Sequence, residues 1–282
     1  MKYILFTLTA LLSLGIFSCD VIESDYREDP KSIAPAGDTV RKILLEEYTG
    51  FKCGFCPPAN QKALDIYELY KGRVVIMTVH AGSLAEPDSK HTYDFTTTAG
   101  DELYEEFGEP ANPAGLVNRT EYEGSLILKQ DKWETAVSQF VEEKPQMMIE
   151  IENSYTDIAR LIETDVKIKY LVQGSANHRL SIVIVEDSIV QYQKWYGHQP
   201  TDIEDYVHNH ILRATVNGTW GETFGEAQEG SVVEKTFSYV IPEDDDGNPL
   251  WHPEKIKIIA FVHNLQSGSY EVLQVEEKEL LE

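Results

Sequence analysis

The sequence predicts an α/β unit over residues 39–144 followed by an all-β unit over residues 145–282, and three observations carry that expectation. Between Val40 and Val79 an apolar strand-like run, a Cys-x-x-Cys pair, a helical run and a second apolar run follow one another. After Pro145 the apolar period changes from helical to two, the alternation of half-buried strands. The length, 282 residues of which 42% are hydrophobic, supplies two cores at roughly 100–200 residues per domain.

Ahead of both units stands an export signal. Lys2 gives a cationic start, Ile4 to Ile16 is apolar apart from Thr7, Thr9, Ser13 and Gly15, and Phe17-Ser18-Cys19 follows. Such a stretch is too short and wrongly flanked to span a bilayer. Ile16-Phe17-Ser18-Cys19 resembles a bacterial lipobox, with Phe17 bulkier than that position usually holds. The resemblance implies a signal peptide over residues 1–18, cleavage before Cys19, and lipidation of the Cys19 sulfur and its new amino group. An ordinary signal peptide cut elsewhere would leave Cys19 a free thiol. Residues 19–38 are polar, acidic and proline-containing with neither period, a flexible tether reaching roughly 25 Å. The chain holds 24 Lys and Arg against 48 Asp and Glu, a net charge of −24. So acidic a surface repels phosphate backbones and anionic headgroups, which excludes nucleic acid as a partner and leaves the lipid anchor as the link to the membrane.

In the first unit, Val40 to Tyr48 is the opening strand and leads through Thr49-Gly50-Phe51-Lys52 to Cys53-Gly54-Phe55-Cys56. Pro57 and Pro58 suit the start of a helix, on which Ala63, Ile66, Tyr67 and Tyr70 fall at i, i+3, i+4 and i+7. Pro57 disfavours helical dihedrals at Cys56, so this helix is expected to begin after the pair. Gly72 stops it, and Arg73 to Val79 reads as a strand buried on both faces, as parallel strands are. The connection from His80 to Gly108 is long, with a short helix near residues 101–107. Asp131-Lys132-Trp133-Glu134 has the pattern of a capping box opening a helix that runs to Glu143. His80 and His91 are expected at a loop or strand end rather than on a metal.

Two intervening residues let the sulfurs of Cys53 and Cys56 meet, so the pair can cycle between dithiol and disulfide. A helix start and the Lys52 cation favour a thiolate on Cys53. The alternatives are a structural disulfide or a zinc site. Zinc wants four ligands, and the sequence has no second Cys-x-x-Cys and no His-x₃₋₅-His to supply the rest. As a staple, a disulfide closing so short a loop is worth only about 2 kcal/mol in the chain-entropy model. With Cys19 lipidated, these are the two thiols left in the mature chain. This segment resembles the thioredoxin superfamily. Glu47, six residues before Cys53, matches the buried carboxylate of protein disulfide isomerases, and Cys-Gly-Phe-Cys is close to the Cys-Gly-Tyr-Cys of periplasmic disulfide isomerases. The resemblance implies a thioredoxin-like fold, Cys53 as nucleophile, Cys56 as resolving thiol and Glu47 as its proton acceptor. It also implies a cis-proline beside the pair, for which Pro113, in Asn112-Pro113-Ala114-Gly115-Leu116-Val117-Asn118, is the candidate.

The second unit offers seven strands, at residues 147–152, 161–172, 180–186, 207–216, 232–241, 256–263 and 271–277, most of them separated by turn residues such as Asn217-Gly218 and Ser267-Gly268. That rhythm predicts an immunoglobulin-like β-sandwich. His208 and His210 share one face of an expected strand, where packing is the simpler reading than metal binding because a third ligand is lacking. Residues 243–248 have the look of a calcium loop, but Pro242 and Pro253 stand where its first and twelfth ligands belong, which leaves a solvated turn.

Taken whole, the lipobox, the acidic tether, Tyr48-Thr49-Gly50-Phe51-Lys52-Cys53-Gly54-Phe55-Cys56-Pro57, residues 112–119, and His208-Asn209-His210-Ile211-Leu212-Arg213 resemble the outer-membrane-protein-28 family. Those are lipid-anchored outer-membrane proteins of anaerobic Gram-negative bacteria. The resemblance implies outer-membrane residence and a role in adhesion or host contact. Two functions follow, neither needing a cofactor. One is a tethered thiol-disulfide oxidoreductase acting on protein disulfides. The other is a binding lipoprotein whose first unit is scaffold and whose β-sandwich meets an adhesion target. Exchange requires Cys53 to be partly exposed and Cys56 deeper, within reach of Glu47 directly or through a water.

Overall fold

Ile43–Thr49 (β1) and Val74–His80 (β2) are buried at every position, which a strand can be only inside a layered sheet. They pair in parallel, from Ile43 against Val74 to Thr49 against His80. The computed structural model in which they are seen describes residues 40–244, 246–247, 250–266 and 268–281. The signal segment, Cys19 and the tether lie outside the described residues.

Between the two strands runs Cys56–Leu69 (α1). It begins on the second cysteine rather than after the pair, with prolines in its first turn, where a missing amide leaves no helical hydrogen bond unmade. Thr98–Glu106 (α2) follows, its first amides met by the Thr97 hydroxyl, which accepts from Gly100 N at 2.9 Å. The Asn112–Pro113 bond is cis, as expected, and delivers Ala114–Val117 (β3) antiparallel onto β1. Gln130–Val141 (α3) has no side-chain cap. Asp131 sits instead in its first turn, where a carboxylate favours the exposed amides without capping them. Gly115 has no side chain for a reason: a Cβ there would stand 2.6 Å from the Trp133 ring of α3.

Ten strands follow: Met147–Thr156 (β4), Leu161–Tyr170 (β5), His178–Glu186 (β6), Ile189–Lys194 (β7), Asp202–His208 (β8), Ile211–Thr215 (β9), Glu222–Thr223 (β10), Val232–Val240 (β11), Ile256–Asn264 (β12) and Val272–Glu279 (β13). The single strand expected over 207–216 is divided. His210 takes a φ of 57°, and that left-handed turn sends β8 and β9 into different sheets. Residues 189–194 and 202–206, unassigned from the sequence, form most of a hairpin, β7 against β8.

Among the described residues the strands make an eight-stranded sheet in the order β13-β12-β6-β9-β2-β1-β3, with β10 beside β6, a three-stranded sheet β11-β5-β4, and the β7–β8 pair. The large sheet crosses residue 145 where Thr78 of β2 pairs in parallel with Ile211 of β9. Period two then sorts the core. Leu180, Ile182 and Ile184 of β6 face Ile151, Val166 and Ile168 of the three-stranded sheet. Their neighbours Val183 and Val185 face Leu44, Tyr48 and Met77 from the first half. The outer face of β1–β3 is closed by α1 and α3 through Ala63, Ile66, Trp133 and Phe140. The chain is therefore mixed α/β, rich in strands and poor in helix.

Candidate functional site

The turn between β1 and α1 holds a disulfide between Cys53 and Cys56, their Cα atoms 5.4 Å apart. Cys53 N donates to Gly50 O at 2.9 Å and Cys56 N to Cys53 O at 3.2 Å, so the loop is a tight turn fixed by its own backbone. Cys56 is buried as expected, at 1% exposure. Cys53 is not partly exposed: only 3% of it meets solvent. The cause is the β7–β8 hairpin, which lies on the loop. Lys194 N donates to Phe51 O at 2.8 Å, Tyr196 N to Gly54 O at 2.7 Å, and Gln193 Nε2 to Cys53 O at 3.0 Å. The Tyr196 ring rests on Gly54, where a Cβ would come within 2.5 Å of it, and meets Phe55 edge-on at 5.0 Å. Of the motif's four residues Phe55 is the exposed one.

Glu46 and Glu47 are adjacent on β1 and point to opposite faces of the sheet. Glu46 is met by Arg119, which donates to both of its oxygens at 2.8 and 2.7 Å, with Phe107 and Phe261 flanking the guanidinium. Glu47 is equally buried, yet its hydrogen bond comes from a neutral amide, Asn60 Nδ2 to Oε2 at 3.2 Å, and Oε1 has no partner among the described residues. Burial without a counter-charge disfavours the anion and pushes this carboxyl up to about 8, partly offset by Asn60. At neutral pH Glu47 is an acid holding its proton. Pro113 precedes the strand that lies beside it, since Gly115 of β3 is the register partner of Glu47.

Behind Cys56 is a small cavity bounded by Asn60 of α1, Thr78 and His80 of β2, and Gln193, Tyr206 and His208 from the second half. Its space is about 10 Å³, room for one water. The Tyr206 hydroxyl donates to Asn60 Oδ1 at 3.2 Å. His80 stacks on Phe95, 4.4 Å between ring centres, and lies 5.5 Å from the His208 ring. Among the described residues neither His80 nitrogen nor the Thr78 hydroxyl has a hydrogen-bond partner. Burial holds His80 well below the ordinary imidazole range and His208 down at about 4, so both are neutral at pH 7.

His91 is elsewhere, stacked on Tyr192 at 3.6 Å. His208 and His210, expected on one strand face, are separated by the turn between them. His208 faces the cavity, while His210 lies beside Tyr67 and Asp187. Glu243, at the head of the acidic loop, pairs with Arg160 at 2.7 Å. Among the described residues no cluster of three or more His, Cys, Asp or Glu could hold a metal. Sequence reasoning missed Asn60, Gln193 and Tyr206. Asn60 was within reach, since it stands four residues after Cys56 and hence on the same helix face. Gln193 and Tyr206 come from more than 130 residues away and leave no local signal.

The family model for Outer membrane protein Omp28 matches residues 100–282. The chain belongs to this family, an association with the outer membrane. No curated protein matches it. Among solved structures it is similar to HBP35 of Porphyromonas gingivalis, at 17% identity over 87% of this chain and 77% of that one, with a TM-score of 0.65. A protein of Agrobacterium tumefaciens is similar at 14% identity over 88% and 97%, with a TM-score of 0.54. A domain of the outer membrane lipoprotein Omp28 from Porphyromonas gingivalis is 24% identical over 48% and 88%, with a TM-score of 0.32. At such identities the first two likenesses speak for a shared fold.

Proposed function

We propose that this protein is an outer-membrane lipoprotein, tethered through Cys19, that carries out thiol-disulfide exchange on protein partners at a shielded Cys53–Cys56 centre. The observation that carries the reading is the buried, proton-bearing Glu47, linked through Asn60 to the cavity behind Cys56. Once the β7–β8 hairpin is displaced from the loop, a partner thiolate attacking Cys53 Sγ breaks the S–S bond, and the electron pair leaves on Cys56 Sγ, which takes the proton held by Glu47. The partner is left in a mixed disulfide with Cys53. A second partner thiolate attacks the partner's sulfur in that bond and releases Cys53 as a thiolate, and the two protons shed by the partner thiols go through solvent to Cys53 and back to Glu47. Two partner thiols have then become one disulfide and the pair a dithiol; the reverse sequence reduces a partner.

Residues 39–144 are read as a thioredoxin-like unit, which the parallel β1–α1–β2 turn carrying the cysteines and the cis Asn112–Pro113 bond before β3 support. Residues 145–282 are read as an immunoglobulin-like sandwich. The strand orders β11-β5-β4 and β13-β12-β6 support it: β4, β5 and β11 answer to the first, second and fifth of the seven expected strands, which share one sheet in such a fold, and β6, β12 and β13 to the third, sixth and seventh, which share the other. In the second reading the pair is scaffold and the sandwich binds an adhesion target, and the 3% exposure of Cys53 favours it.

Variants of the full chain separate the two. Under exchange, Cys53→Ser abolishes turnover of a model disulfide substrate and Cys56→Ser accumulates mixed disulfides. Under the scaffold reading both variants lose modest stability and trap nothing. For the anchor, Cys19→Ala should leave the membrane fraction or stall as precursor, and unchanged processing and sedimentation would refute it.

A further inference from the structure

One hydroxyl from the second half of the chain reaches the proton store. Tyr206 Oη donates to Asn60 Oδ1 at 3.2 Å, and with that oxygen occupied the amide's nitrogen is turned toward Glu47, where it donates to Oε2 at 3.2 Å. We propose that Tyr206 is a positioning residue of the redox centre, orienting Asn60 so that Glu47 can release its proton toward Cys56. The catalytic consequence rests on the exchange reading; the positioning itself does not. A hydrogen bond donated to a carboxyl oxygen favours the anion, so the amide works against the burial that holds the proton on. Without the hydroxyl the amide can turn its carbonyl to Glu47, which favours the protonated acid instead.

Few other groups act there. From β2 the register partner is Thr78, and from β3 it is Gly115. From β8 the titratable neighbour is Tyr206 itself, whose phenol burial and Glu47 together push up to about 12. His80 and His208 line the same cavity in neutral form, with Arg213 reaching His80 alone among the two. The lever has a second end. Tyr206 belongs to the hairpin whose other strand covers Cys53 through Gln193, so displacement of that hairpin would uncover the disulfide and free Asn60 together.

The test is the carboxyl titration of Glu47 in the full chain, labelled with ¹³C at glutamate and followed by NMR over about pH 5 to about 10, with Glu47→Gln identifying the resonance. The wild type should titrate near 8. Tyr206→Phe should move the midpoint up by roughly half to one unit, about one hydrogen bond's worth. Asn60→Ala should move it at least as far, and Tyr206→Phe should add nothing in that background. The pH profile for opening the disulfide with dithiothreitol should move by the same amount. A midpoint that stays put in Tyr206→Phe, or in Asn60→Ala should the first variant fail to fold, overturns the inference. Absence of exchange in the wild type would instead overturn the functional reading and leave the titration to stand by itself.

Discussion

The core beneath the three-stranded sheet and the core around the cysteines are built on different terms. Along β5 every second residue, Ile162, Thr164, Val166, Ile168 and Tyr170, is buried, and the residues between them face solvent. That side is held by apolar area and by period two. The cysteine side, in contrast, buries Glu46, Glu47, His80, Arg119 and His208 at 4% exposure or less. Burying such groups costs free energy unless each finds a partner. Glu46 has found one in Arg119 and reads as architecture. Glu47 has found only an amide and stays protonated, while His80 has found none and stays neutral. Among buried polar groups, those left without a counter-charge next to a reactive pair are the ones free to exchange protons with it.

The largest expected effect tests that distinction by pH. The folded-state value of Glu47, about 8, lies above its ordinary 4.5, so the folded protein holds the proton more tightly than the unfolded chain. Its contribution is fully present below about pH 4.5 and is lost as pH rises through about 8. Glu47→Gln should therefore match wild type in denaturant unfolding near pH 4.5 and exceed it by about 5 kcal/mol well above pH 8. A difference that does not vary with pH would remove Glu47 from the comparison. Next comes Arg119→Met, which strands Glu46 and should cost roughly 3–5 kcal/mol at neutral pH. Adding Glu46→Leu should restore most of it, and no recovery would mean that Glu46 is not held as an ion pair. On the apolar side, Ile168→Ala should cost about 3 kcal/mol through the cavity it leaves. That loss should be the same at acid and alkaline pH, since no ionisable group depends on it; a pH-dependent loss would blur the contrast.

Much of this was legible in the sequence where local spacing carries the information. The strand, Cys-x-x-Cys, helix, strand order, Glu47 six residues before Cys53, and the bend at Asn112–Pro113 are short-range features, and so is the alternation along β4, β5 and β11. The hairpin was not legible. Ile189 to Lys194 mixes apolar and polar residues with no clean period, and β8 carries Asp202, Glu204 and Asp205. Neither strand has a hydrophobic face to announce it. The division at His210 needed a positive φ at a residue other than glycine, which composition does not reveal. The burial of Cys53 was out of reach for the same reason, because it is made by Gln193 across 140 residues of chain.

The proposed role of Cys53–Cys56 is redox exchange to which the β7–β8 hairpin controls access. It is tested most directly by the rate at which reduced glutathione opens the native disulfide, read by alkylation and mass, in the wild type and in a Gln193→Ala/Tyr196→Ala variant. Loosening the hairpin removes the Gln193 bond to Cys53 O and the ring over Gly54. One lost hydrogen bond of about 1.4 kcal/mol is a tenfold change, so the variant should open about ten times faster while its thermal midpoint falls by only a few degrees. Equal rates in the two proteins would show that the hairpin does not govern the disulfide it covers.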